Sequence, residues 1–186
     1  MAPGLQFKVV ENSSWEQIKI RGRKVEDDYT AGEYLGRGGF GYVTEVIHKI
    51  SGERMACKII PLNQADNEIR IWSEISGHRN ILPLTSVYRD QNSNLAYLIT
   101  DLCSGGSLCD MMQMDGLFCE KKAAMIMKRL VEALQYCHDK GIIHRDVKID
   151  NILIPSKITF HSFPDIKLAD FGCSTHFSEG RKLKSS

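Results

Sequence analysis

The sequence predicts an α+β fold in two lobes, an antiparallel β-sheet lobe with one helix, followed by a helical lobe. Three observations carry that expectation. Residues 29–100 hold short β-branched and aromatic runs separated by turn signals. From Ser107 onward, apolar residues recur at helical spacing. The change of character falls near Cys103, and no internal repeat is present. The expected organisation is an arm over 1–28, a sheet lobe over 29–100, a hinge over 101–106, a helical lobe over 107–177 and a tail over 178–186.

A chain of 186 residues has enough length for one domain or two small lobes, and can bury about 70% of its unfolded surface. Hydrophobic residues make up 42% and charged residues 25%, the balance of a soluble globular protein rather than a disordered or collagen-like one. Lys and Arg total 24 against 23 Asp and Glu, so charge demands neither nucleic acid nor an anionic membrane. The six cysteines form no C-x-x-C pair and no zinc-finger spacing with histidine. Scattered thiols fit a reducing compartment, so a cytoplasmic or nuclear protein is expected. The amino terminus lacks the pattern of a signal peptide, and no apolar run is long enough for a transmembrane helix.

The elements follow in order. Lys19, Arg21, Arg23 and Lys24 form a basic cluster in the arm, read as a solvated arm or an extra edge strand in preference to a targeting patch. Residues 29–35 are strand-like, 36–41 form a glycine-rich turn, and 42–48 alternate with Val43, Val46 and Ile47. After a turn at 49–53, residues 55–60 make an apolar strand stopped by Pro61. Helical spacing then runs over 66–75, with Ile69, Trp72 and Ile75 on one face and Asp66 and Glu68 acidic near its start. Two further strands are expected at 82–88 and 95–100, joined by a polar turn at 90–94. A short helix at 108–114 precedes a longer one at 120–140, which places Ala124, Met127, Leu130, Val131, Leu134 and Cys137 on one face and stops at Gly141.

Four local patterns carry chemistry. Gly36-Arg37-Gly38-Gly39-Phe40-Gly41 matches G-x-G-x-x-G, but an alternating strand follows it, so it is a hairpin tip. Its glycines leave backbone N–H groups open to phosphate oxygens; taken alone, the same string is equally an ordinary glycine turn. Lys58 lies in an apolar strand and needs an anionic partner if buried, either bound phosphates or Glu68; a solvent-facing lysine is the other reading. The string from His144 to Asn151 is a polar loop between two apolar strands, and Asp170-Phe171-Gly172 follows a third. Phosphoryl transfer needs such a set: a carboxylate to orient the attacking hydroxyl, another to ligate Mg²⁺, an amide to complete the metal shell, and a lysine beside the base.

In this order the motifs resemble those of eukaryotic protein kinases, over about residues 29–177. The spelling Asp146-Val147-Lys148 is similar to that of Ser/Thr kinases, and the phrases around 51–60 and 101–108 resemble the calcium/calmodulin-dependent kinase group. The resemblance implies a kinase-like two-lobe fold with ATP and Mg²⁺ as cofactors and protein Ser/Thr hydroxyls as substrate. It implies that Leu35, Gly36, Arg37, Gly38, Gly39, Phe40 and Gly41 cover the nucleotide, that Val43, Ala56 and Leu153 sandwich adenine, and that Thr100 is a small gatekeeper. Asp101 and Cys103 would offer backbone hydrogen bonds across the hinge. Lys58 would pair with Glu68, Asp146 would be the catalytic base, Lys148 would contact the γ-phosphate, and Asn151 and Asp170 would bind Mg²⁺. Trp72, Leu84, His144 and Phe171 resemble the family's regulatory spine, with Trp72 bulky enough to imply an unusual distance between helix and cleft.

The chain also departs from the family pattern. Lys58 and Glu68 are only ten residues apart, implying a short linker, and Glu74 is a rival partner on another face. Residues 157–164 are expected to bulge as a surface loop, and Ser107 stands where many relatives carry an acid. Only residues 173–186 follow Gly172, so the helical lobe is expected to be incomplete. That would leave apolar surface on the 120–140 helix and a place for a protein partner. The alternative function is accordingly a catalytically weak or inactive kinase-like protein that binds ATP or a partner. Ser174, Thr175, Ser178, Ser185 and Ser186 are hydroxyls near the chain end, and residues 181–184 form a basic tail.

Overall fold

The computed structural model describes residues 19–22, 24–39, 41–115, 119–156 and 165–177. Phe40, Arg23, most of the arm, the 157–164 loop, Ser178, the basic tail, Ser185 and Ser186 lie outside these residues. Ten strands and four helices are described: β1 (Lys19–Arg21), α1 (Val25–Asp28), β2 (Tyr29–Gly38), β3 (Gly41–His48), β4 (Arg54–Pro61), α2 (Leu62–Ile75), β5 (Leu84–Asp90), β6 (Leu95–Asp101), α3 (Leu108–Asp115), α4 (Glu120–Asp139), β7 (Ile142–Ile143), β8 (Ile152–Leu153), β9 (Lys167–Leu168) and β10 (Thr175–His176). The α+β two-lobe reading is the observed one.

The first lobe is a six-stranded sheet in the order β1-β5-β6-β4-β3-β2. Neighbours pair antiparallel except β1, which lies parallel on β5 and so takes the edge-strand form expected of part of the arm. The glycine-rich turn joins β2 to β3, with Gly38 opposite Gly41 at its tip. Gly41 has to be glycine, because a Cβ there would sit 2.0 Å from the Ile59 carbonyl oxygen of β4.

The helix expected from Asp66 begins four residues earlier, at Leu62, directly after Pro61. The Leu62 N–H bonds to the Asn94 carbonyl of the β5–β6 turn at 2.9 Å, so a partner from another element satisfies one of the helix's orphan donors. Leu62 and Ala65 extend the buried stripe of Ile69, Trp72 and Ile75 backwards. The short linker is therefore no linker at all.

The face expected of α4 is also corrected. Ile126, Leu130, Ala133 and Cys137 are buried, while Ala124, Met127 and Val131 face outward and Leu134 is half-buried. The buried set steps by four, three and four residues, the seam of a helix packed along one line. The expected set took Met127 and Val131 in place of Ile126 and Ala133, a face rotated from the one that is buried. Gly141, at φ +68°, ends the helix, and its N–H bonds to the His138 carbonyl at 2.8 Å.

Two cores result. The larger runs through both lobes, from Ile60, Ile71, Trp72 and Leu84 to Leu130, Ile142, Leu168 and Phe171. The smaller lies on the other side of the sheet around Tyr29, Met55, Cys57, Tyr88 and Ile99. There α1 caps the sheet, and the Tyr88 hydroxyl donates to the buried Asp28 carboxylate at 2.5 Å.

Gly41→Ala should cost about 1–3 kcal/mol, because backbone on β4 blocks the added methyl. Gly39→Ala meets nothing within 4 Å and should stay within about 0.5 kcal/mol of the parent. Urea unfolding of both variants checks this; equal effects would remove the β4 contact as the cause.

Candidate active site

Lys58 sits on β4, facing the cleft, with 7% of its surface exposed. Its Nζ lies 2.6 Å from Glu68 Oε1 on α2 and 2.7 Å from Asp170 Oδ1 beyond β9. One ammonium thus serves two carboxylates. Burial alone pulls the Lys58 pKa down, but Glu68 and then Asp170 outweigh it, and the net direction is upward. Glu68 moves up: its burial dominates, Lys58 offsets part of that, and the nearby Asp170 charge adds to it. Glu74 does not compete for Lys58; it meets His176 at 2.8 Å and Arg70 at 3.9 Å.

Trp72 does not hold α2 away from the cleft, since the Lys58–Glu68 contact is closed. Its indole Nε1 donates to the Leu82 carbonyl at 2.6 Å, and its ring leans on Phe171 with centroids 6.0 Å apart. Phe171 in turn meets His144 edge-on at 4.9 Å. Trp72, Leu84, His144 and Phe171 are all buried.

The polar loop follows β7. His144 is buried; its Nε2 lies 3.0 Å from the Ala169 carbonyl and its Nδ1 3.2 Å from the Asp146 N–H. A carbonyl only accepts and an amide N–H only donates, so the partners assign the neutral Nε2–H tautomer. Burial pushes the His144 pKa down, in agreement. Asn151 Nδ2 donates to Asp146 twice, to its carbonyl at 2.8 Å and to Oδ2 at 3.0 Å. Lys148 Nζ lies 2.9 Å from the same Oδ2. The Lys148 and Asn151 bonds hold the Asp146 carboxyl below the ordinary carboxylate range despite partial burial.

Backbone pairing brings Asn151 to Asp170. Ile152 faces Leu168 in the β8–β9 ladder, and the Ala169 N–H bonds to the Asn151 carbonyl at 2.9 Å. The long connection between them is closed at its base, whatever its length. Asp170 has φ +62° and Arg145 φ +66°, both in the left-handed region. Such backbone typically costs about 1–3 kcal/mol where no glycine relieves it. Arg145 is held there by its Nε bond to the Cys173 carbonyl at 2.5 Å.

The remaining expected residues line the sheet side and the hinge. Leu35 and Arg37 are exposed on the glycine hairpin, and Gly36 pairs with Val43. The tip lies over Asp170, whose Oδ2 is 3.7 Å from where a Gly38 Cβ would be. Val43 faces Lys58 and Ala56 faces Thr100 across the ladders. Thr100 is buried, Asp101 exposed, and burial pushes the half-buried Cys103 thiol up to about 11. Leu153 reaches the hinge by a bridge to Ser107, reinforced by the Ile154 N–H bond to the Gly106 carbonyl at 2.8 Å. Ser107 itself caps α3: its hydroxyl donates to Asp110 Oδ2 at 2.7 Å and accepts the Asp110 N–H at 3.1 Å.

Three positions escaped sequence reasoning. Gly105 meets Ile154 so closely that its Cβ would lie 2.7 Å from Cγ2, and Gly106 has φ +76°. The Gly-Gly pair between the lobes was the available signal. His176 is the third, and nothing in its neighbours marks it.

The donor set fits Mg²⁺. Asn151 spends its amide nitrogen on Asp146, leaving its oxygen, and Asp170 adds a carboxylate. Among the described residues, no cluster of three or more His, Cys, Asp or Glu could hold a metal alone.

His144 supplies a pH test. Its folded pKa is depressed, so its contribution is complete above the unfolded value near 6.5 and is lost as pH falls below it. Between about pH 7.5 and 5.5 the melting temperature of the parent should drop more steeply than that of His144→Gln. Parallel profiles would remove the buried neutral imidazole.

The protein kinase domain family matches residues 29–186. The chain is 36% identical over 165 residues to the serine/threonine-protein kinase PEPKR2 of Arabidopsis thaliana, covering 88% of this chain and 33% of that protein. It is 36% identical over 178 residues to calcium-dependent protein kinase 1 of Oryza sativa subsp. japonica, covering 89% and 33%. Calcium-dependent protein kinase 34 of Arabidopsis thaliana is 34% identical over 177 residues, again 89% and 33%. The chain spans about a third of the length of these curated relatives. It belongs to the protein kinase family.

Proposed function

We propose that this chain binds Mg·ATP and passes the γ-phosphate to serine or threonine hydroxyls of a protein. The observation that carries this is the ammonium of Lys58 between Glu68 and Asp170, with Asp146, Lys148 and Asn151 joined beside it. Lys58 is positioned to hold phosphate oxygens, and Glu68 keeps it from swinging away. Asn151 and Asp170 would hold the metal, which when bound neutralises charge on the phosphates. Asp146 is ionised at neutral pH and takes the proton of the attacking hydroxyl. The hydroxyl oxygen bonds to the γ-phosphorus, the bond to the β-phosphate oxygen breaks, and ADP leaves. Lys148 offsets the charge that develops beside Asp146. Neutral His144 keeps the Asp146 backbone and the Ala169 carbonyl in register.

The free cysteines among the described residues support a reducing compartment, cytoplasmic or nuclear. A partner-binding role for α4 has one supporting observation, the exposure of Met127 and Val131 at 54% and 56%.

A thermal shift tests the nucleotide site. At about a hundredfold over Kd, Mg·ATP should raise the melting temperature by roughly 5–10 °C, and Lys58→Ala should abolish the rise. Asp146→Ala should keep the shift and lower phosphate transfer to a generic Ser/Thr peptide by about 10²–10⁴-fold. A shift without transfer in the parent would leave an ATP-binding protein; no shift at all would end the proposal.

A further inference from the structure

Glu74, unused by Lys58, belongs to a second polar cluster on α2. Asn67, Arg70 and Glu74 are spaced three and four residues apart, one stripe of the helix beside the face that carries Glu68. All three point to the segment after Gly172. Asn67 Nδ2 donates to the Ser174 carbonyl at 3.0 Å, and Arg70 Nη2 donates to Asn67 Oδ1 at 3.1 Å. Arg70 Nη1 lies 3.1 Å from His176 Nδ1, and His176 Nε2 lies 2.8 Å from Glu74 Oε2. A guanidinium only donates and a carboxylate only accepts, so His176 accepts at Nδ1 and donates from Nε2. Its two ring nitrogens therefore join Arg70 to Glu74.

The other side of this segment is fixed to the catalytic loop. The Ser174 hydroxyl donates to the His144 carbonyl at 3.2 Å, and Arg145 holds the Cys173 carbonyl. β10 pairs with β7, and the Phe177 N–H bonds to the Gly141 carbonyl at 2.8 Å.

We infer that His176 is a positioning residue, a clasp between the catalytic loop and α2 that sets the helix rotation at which Glu68 meets Lys58. This rests on reading Lys58 and Glu68 as part of a nucleotide site. Each pair alone adds little, since Arg70 is 58% exposed and Glu74 and His176 are 32% exposed. Their leverage is directional. The apolar stripe of Ile69, Trp72 and Ile75 resists separation but tolerates a small roll, whereas the hydrogen bonds on the neighbouring stripe do not.

The test uses amide hydrogen exchange across α2 in the full 186-residue chain, with Mg·ATP affinity measured beside it. His176→Ala should speed α2 exchange about tenfold and leave β4 and β6 unchanged. His176→Gln, whose amide both donates and accepts, should restore exchange to within about twofold. Mg·ATP Kd should rise roughly tenfold with His176→Ala in the parent, and by less than about twofold when Glu68→Gln is already present. Unchanged α2 exchange, or losses that multiply in the double variant, would overturn the inference. If His176→Ala unfolds throughout, Arg70→Met takes its place, with faster exchange confined to α2 expected and unchanged exchange fatal. If the parent binds no Mg·ATP, the nucleotide reading fails while the exchange result still decides the clasp.

Discussion

A single buried ammonium organises this molecule. Lys58 sits between a carboxylate ten residues away and another 112 residues away. Removing a lysine and a glutamate from water costs several kcal/mol per ion before any pairing. Neither charge is tolerable there without the other. The requirement runs in both directions: β4, α2 and the strand leading to Asp170 must converge for the charges to be buried, and once converged they leave one cation facing a cleft roofed by glycines. Asp170 is the less buried partner, its side chain 22% exposed against 2% for Glu68. In the proposed function, the more exposed contact is the one open to phosphate oxygens, while the buried one fixes the lysine.

The convergence is built mostly from backbone. The β4–β6 ladder places Ala56 against Thr100, and the direct passage from Pro61 to Leu62 brings Glu68 within reach of Lys58 without intervening chain. On the other side, two-residue ladders do the equivalent work, with β8 on β9 setting Asn151 beside Asp170 and Ser107 bridging to Leu153. Ladders this short are marginal alone. They hold because Ile152, Ile154, Ile166 and Leu168 are all buried in the core that crosses both lobes.

The sheet lobe was legible because its signals are local: glycine at the hairpin tip, alternation in the strands, proline at the end of β4. The candidate site was legible because its residues sit in short strings whose chemistry is shared. What escaped is non-local. The start of α2 depends on the Asn94 carbonyl, which no window around Leu62 contains. Which face of α4 is buried depends on the elements that pack against it, so apolar spacing along the helix alone selects a face rotated from the buried one. Trp72 looked too large for its place because the Leu82 carbonyl, which takes its indole N–H, belongs to another part of the chain. His176 lies in no motif, and its ring contacts, Arg70 and Glu74, are more than a hundred residues away.

Two kinds of contact therefore govern the site, and they differ in what they permit. The rings of Trp72, Phe171 and His144, packed tilted and edge-on, contribute cohesion between the lobes. Polar bonds then select one arrangement: His144 binds backbone on both sides of its ring, Asn151 grips Asp146 twice, and the α2 stripe meets the segment beyond Phe171. Packing supplies cohesion and hydrogen bonds supply register. A loss of register moves Glu68 or Asp146 by less than a side-chain length while the cores stay closed, and displacements of that size separate a formed phosphate site from an unformed one.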